Sequence, residues 1–259
     1  MTIRAMTGDW PTRGTRRGAM IAGWAGILHV ALAMIPPYVL TREADQPSWT
    51  DSPQAIVAFY AGATFDPAFM TGVMMEGVSF ALLLVILAKA ADLVGGADGG
   101  SRWVGWLIVG GAVLEMSFGI FGYLATLTAG VFAASHGGLT DAAYLALHDL
   151  RFAFYFLDLV VLPLWMVPLG VAIIETQIFP RWLGWAWIAS AVVLLPALYL
   201  PTDIWDPVGG IPLVLILIMS VLIVLRPERY SGGAVGPDES RGHRDILTVA
   251  DTSGTPAEG

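Results

Sequence analysis

Six apolar stretches of membrane length recur along this chain, and that recurrence narrows the fold before any motif is read. They cover about 20–40, 68–90, 103–131, 152–174, 182–200 and 210–225. A helix rises about 1.5 Å per residue, so roughly 20 residues cross the ~30 Å of hydrocarbon in a bilayer. The stretches are continuous rather than alternating, which favours helices over a β-barrel. Composition agrees: 56% of residues are hydrophobic, only 13% are charged, and mean hydropathy is +0.69. The expected fold is an all-α membrane protein, a six-transmembrane-helix bundle. Its third span is long and is expected to tilt or protrude. The first stretch follows Arg13, Arg16 and Arg17 and is too long for a signal-peptide core, so it reads as a retained span.

Basic residues set the direction. With the N-terminus inside, the inner set is Arg4, Arg13, Arg16, Arg17, Lys89, Arg102, Arg181, Arg226, Arg229, Arg241 and Arg244, and the outer set is Arg42 and Arg151. The positive-inside rule then places both termini in the cytoplasm, and the protein in a plasma (inner) membrane. Trp103, Trp182, Trp185 and Trp205 fall at span ends, where interfacial tryptophans belong. The organisation expected is a cytoplasmic segment over 1–19, the helical domain over 20–226, and a disordered cytoplasmic tail over 227–259, rich in Gly, Ser, Asp, Glu and Pro. Short amphipathic helices are expected in the outer loops. Ser52-Pro53 has the form of an N-cap followed by proline at the first helical position. A second helix is expected to start after Gly137-Gly138-Leu139-Thr140 and to run into the fourth span.

Four ionisable residues interrupt the apolar spans, each on a different one: His29, Glu76, Glu115 and Asp158. A charge in hydrocarbon is costly, so such residues face a bundle interior or a cavity. Helical spacing supports this. Glu115 shares a face with Gly111, Gly119 and Gly122, and His29 with Gly18, Ala22, Ala25, Gly26, Ala33 and Pro36. Small residues mark close helix contact in membranes. Glu76 lies between Gly72 and Ser79 in a shorter version of the pattern. Asp158 ends a stripe of Tyr144, His148, Arg151, Tyr155 and Asp158, and Trp165 continues it a heptad later. That spacing keeps one helix face, so a polar seam is expected from the outer surface to mid-membrane. Arg151 is the expected charge partner of Asp158. Counted along the helices, all four groups fall in one layer, roughly 9–15 Å below the outer boundary.

Three acids and one histidine cannot all be charged in low dielectric without partners, so Glu76 or Glu115 is expected to hold a proton. A neutral carboxyl can donate a proton or a hydrogen bond, which makes these two the candidate catalytic acids. The candidate ligand-binding set is His29, Glu76, Glu115, His148, Arg151, Tyr155, Asp158 and Trp165. The alternative for each is structural: a hydrogen bond between helices for His29 and Glu76, close packing for Glu115, an ion pair for Asp158 with Arg151, and an interfacial position for His148. The chain has no cysteine, no H-E-x-x-H metal signature and no Walker or Rossmann loop. No metal and no cofactor are assigned. A net charge of −8 and the lack of a basic patch give no reason to expect a nucleic-acid partner.

Phe179-Pro180-Arg181-Trp182-Leu183-Gly184-Trp185 and Ser52-Pro53-Gln54-Ala55-Ile56-Val57-Ala58-Phe59-Tyr60, with six spans, resemble an uncharacterised group of bacterial, often actinobacterial, multi-span membrane proteins. The resemblance covers about 18–226 and implies the architecture alone. Acids within compact spans are also loosely similar to small integral-membrane terpene cyclases, which typically have seven spans. Three functions are therefore expected to compete. The first is a pocket, open to the outside, that binds or moves a small amphipathic or lipid-like molecule. The second is an acid-catalysed intramembrane enzyme of lipids or isoprenoids. The third is an accessory protein without catalysis. The lipid bilayer is the partner common to all three.

Overall fold

The computed structural model of the protein describes residues 16–41, 46–63, 65–97, 100–199 and 205–231, leaving aside the side chains of 38, 123 and 205–208. Most of the expected N-terminal segment, most of the expected tail, Arg42, Trp205's side chain and the acidic residues 43, 45 and 203 lie outside that set. Among the described residues the chain is all-helical: α1 Arg16–Val39, α2 Pro53–Gly62, α3 Pro67–Gly96, α4 Arg102–Ser117, α5 Ala125–Ser135, α6 Asp141–Thr176, α7 Arg181–Ala197 and α8 Trp205–Leu225. A seven-residue π-helical segment, Phe118–Leu124, joins α4 to α5. Four of the rods (16–37, 67–96, 102–135 and 141–176) are long and apolar enough to cross a membrane, and α7 and α8 are shorter apolar helices.

The helix ends follow from local chemistry. Ser52 accepts from the Ala55 N–H at 3.2 Å ahead of Pro53, and Asp66 accepts from the Phe69 N–H at 2.8 Å ahead of Pro67. Each pair supplies an acceptor for an orphan donor and a residue that needs none. Thr140 caps α6 in the same way, and α6 ends on Gln177 in the left-handed region at φ 54°. Pro163 and Pro168 lie inside α6, which continues through both.

α1, α3, α4, α6, α7 and α8 pack in chain order as a ring that α8 closes against α1. Close contacts fall on small residues. A Cβ on Gly170 of α6 would stand 2.7 Å from the Gly184 carbonyl oxygen of α7, and one on Gly184 would stand 2.6 Å from the Gly170 oxygen. Only glycine lets the two backbones meet there. Gly23 and Gly26 of α1 receive Val224 and Ser220 of α8. The opposite faces are apolar and open. On α1, Ile21, Trp24 and Leu28 are 65%, 50% and 49% exposed, while Ala22, Ala25 and His29 one position on are buried. Trp103, Trp106, Trp182 and Trp185 project outward at the Arg102 and Arg181 ends of their helices. A surface this rich in exposed Trp, Leu, Ile and Val suits lipid and not water.

α6 is the helix expected to run from Thr140 into the fourth span. At about 54 Å, α6 exceeds α1 by roughly 18 Å. Its first turns carry a separate apolar cluster with α2, α5 and the start of α3, built on Ile56, Tyr60, Phe69, Leu127, Val131 and Tyr144. Residues 226–231 form turns, and Tyr230 is buried with its ring stacked on Phe179, centroids 4.8 Å apart.

Candidate intramembrane binding site

His29, Glu76, Glu115 and Asp158 line one cavity of about 240 Å³. Five helices of the ring and the π segment contribute to it. α1 supplies His29, Ala33 and Pro37. α3 supplies Glu76, Ser79 and Phe80. Glu115 of α4 and Gly119 of the π segment follow. α6 supplies Tyr155, Asp158, Leu162 and Trp165, and α8 supplies Gly209, Gly210, Pro212 and Ile216. Tyr155 and Trp165 are ten positions apart on α6, so the cavity runs about 15 Å along the bundle. Pro37 and Gly209 lie near the end of α1 and the start of α8. The cavity therefore extends toward the face of the bundle on which α2 sits.

Helix contacts hold each polar side chain. The His29 Nδ1–H donates to the Ser79 carbonyl at 2.8 Å, tying α1 to α3. A carbonyl can only accept, so the ring proton sits on Nδ1. The other nitrogen, Nε2, is buried without a hydrogen-bond partner. Glu76 accepts from the Thr41 hydroxyl at 3.2 Å. Gly72, one turn away, lets α3 lie against Leu40 and Thr41, where a Cβ would stand 2.6 Å from Thr41 Cγ2. Glu115 Oε2 accepts from the Trp165 indole N–H. That bond is possible because Gly111 brings α4 onto α6, with room for a Cβ only 2.8 Å from Trp165 Cβ. Asp158 Oδ1 is buried without a hydrogen-bond partner. Glu76 and Glu115 are each 7% exposed, and His29 is 4% exposed.

The seam expected along α6 divides in two. Tyr155, Asp158 and Trp165 line the cavity. His148 and Arg151 do not. They are buried in the cluster beyond it, where α2 and the loop over 46–52 cover the start of α6. His148 Nε2–H donates to the Ser48 carbonyl at 3.3 Å, and Arg151 donates to the Gln46 side chain. The Tyr60 ring stacks on Tyr144 at 5.4 Å and meets His148 edge-on at 6.3 Å, and the Tyr60 hydroxyl sits against the Arg151 guanidinium. The expected pairing of Arg151 with Asp158 is thus not made. Two turns of helix separate them, and the guanidinium turns to the polar loop instead.

Sequence reasoning missed three contributors: the α8 wall, the π segment and the Ser79 carbonyl. Glycines were the available signal for the first two. Gly209-Gly210 opens an apolar stretch, and Gly119 and Gly122 sit three apart, where Phe80 and Phe154 press against the backbone. A π segment re-phases a helix and is found often at functional sites. Among the described residues, no group of three or more His, Asp or Glu is placed to hold a metal ion. No protein-family profile, curated protein or solved structure matches the chain. Among the described residues, fold and site together define a class: a helical protein with four helices of membrane-crossing length and a cavity lined by four titratable side chains.

Proposed function

We propose that all six ring helices cross a plasma membrane with both termini in the cytoplasm, and that the cavity binds a small amphipathic molecule, taken up from the outer side. The basic residues at the Arg16, Lys89, Arg102, Arg181 and Arg226 ends support the orientation. One observation carries the binding reading. Four helices each give one titratable side chain to a single cavity whose other walls are Ala33, Phe80, Leu162, Pro212 and Ile216. Apolar walls with a few convergent polar groups are the usual make-up of a small-molecule site. Burying four such groups only to join helices is a costly way to pack a bundle.

Ala33→Phe tests this reading without touching a polar group, because it places a ring in the cavity. Binding of short-chain amphiphiles to the protein in lipid nanodiscs is expected for wild type and abolished in the variant. Equal binding by both would remove the cavity as the site.

A further inference from the structure

We infer that the occupant of this cavity is a small protonated amine with an apolar body. The inference rests on the binding reading above and names its ligand class. The buried polar atoms left open on the lining all ask for the same thing. His29 has committed its Nδ1–H to Ser79, so in the neutral ring Nε2 is a bare acceptor, and it is buried without a partner. Asp158 Oδ1 is a second buried acceptor without a hydrogen-bond partner. Glu115 adds a further carboxyl. Among the described residues, neither lysine nor arginine lines the cavity, and Arg151, seven positions before Asp158, donates to Gln46 in the outer loop. The indole N–H of Trp165 is already given to Glu115.

A carboxylate, phosphate or sulfate headgroup would therefore meet the carboxyls of Asp158 and Glu115, with no lysine or arginine among the described lining residues. An uncharged ether or ester would offer no hydrogen to the open acceptors. A primary ammonium brings a positive charge and three N–H donors, which matches the open acceptors of His29 and Asp158 and the acid excess. A bare metal ion lacks a converging ligand set among the described residues. Phe80, Leu162, Pro212 and Ile216 suit an alkyl or aryl body. The cavity offers about 240 Å³. That admits an ammonium with a short chain.

The test is calorimetry of full-length protein in nanodiscs with hexylamine, hexanol and hexanoate at neutral pH, each corrected against empty nanodiscs. Hexylammonium is expected to bind roughly tenfold or more tightly than hexanol, with hexanoate weakest. Asp158→Asn with Glu115→Gln is expected to lower hexylamine affinity roughly tenfold and leave that of hexanol unchanged. Hexanol or hexanoate binding as tightly as hexylamine in wild type would overturn the charge assignment and leave the cavity reading standing. No binding of any of the three would overturn both. The wild-type series decides the matter even if the double variant fails to fold.

Discussion

Two adjacent glycines on α4 should respond to alanine with opposite signs. At Gly110 a Cβ would meet nothing within 4 Å. Alanine there gains helix propensity, about 0.5–1 kcal/mol. At Gly111 the same methyl would stand 2.8 Å from Trp165 Cβ and 3.1 Å from the Trp165 backbone nitrogen. Neither neighbour is the tip of a flexible chain. To restore ordinary contact, α4 must move from α6 by roughly half an ångström or more, and overpacking of this kind costs about 1–3 kcal/mol. The propensity gain is common to both variants and cancels in their difference. Gly111→Ala should therefore be less stable than Gly110→Ala by about 1–3 kcal/mol, which for a chain of this size is roughly 2–12 °C in Tm. Thermal unfolding in one detergent, read by circular dichroism, measures it. A Gly111→Ala protein as stable as Gly110→Ala would refute the close approach of α4 and α6 that places Glu115 beside Trp165.

Further outcomes follow from the same contacts. Glu115→Gln keeps an acceptor for the Trp165 N–H and should stay near wild-type stability. Glu115→Leu leaves that buried donor unpaired and should lose about 1–3 kcal/mol by the same assay. Arg151→Gln should destabilise by about 1.5–3 kcal/mol and expose the loop over 46–52 to limited proteolysis, yet leave cavity binding unchanged. Weakened binding would return Arg151 to the cavity. Burial pushes the phenols of Tyr60 and Tyr230 up, against the pull of Arg151 on the first and of Arg229 and Arg226 on the second. A raised folded value means the fold favours the neutral phenol, so this contribution is whole below the ordinary tyrosine value of about 10 and is lost as pH climbs through the raised one. Titration of tyrosinate absorbance should show a late fraction that shrinks in Tyr60→Phe and in Tyr230→Phe.

What could be read from the residues was what depends on one helix at a time. The small-residue faces of His29 and Glu115 point inward because small side chains and glycines let neighbouring helices approach, and that is a property of spacing along a single rod. The Ser52 end is legible for the same local reason. His148 and Arg151 were not, since their partners Ser48 and Gln46 lie about a hundred positions away and share no pattern with α6. A shared helix face says nothing about what covers each end of a helix that outruns its neighbours. The π segment was hidden too. Phe118-Gly119-Ile120-Phe121-Gly122 reads as ordinary apolar span, and the rings that pack on its glycines, Phe80 and Phe154, arrive from other helices.

The absence of cysteine from the whole chain gives the central claim a clean test. Single cysteines would be placed at Glu76, Glu115 and Asp158, and at the outward-facing Val85 and Leu164, and challenged in membranes with a small cationic methanethiosulfonate. A thiol must ionise in water to react, so a polar cavity shared by three helices predicts rapid labelling at the first three positions and little at Val85 or Leu164. Labelling as slow at Glu76, Glu115 and Asp158 as at the lipid-facing pair would contradict the account.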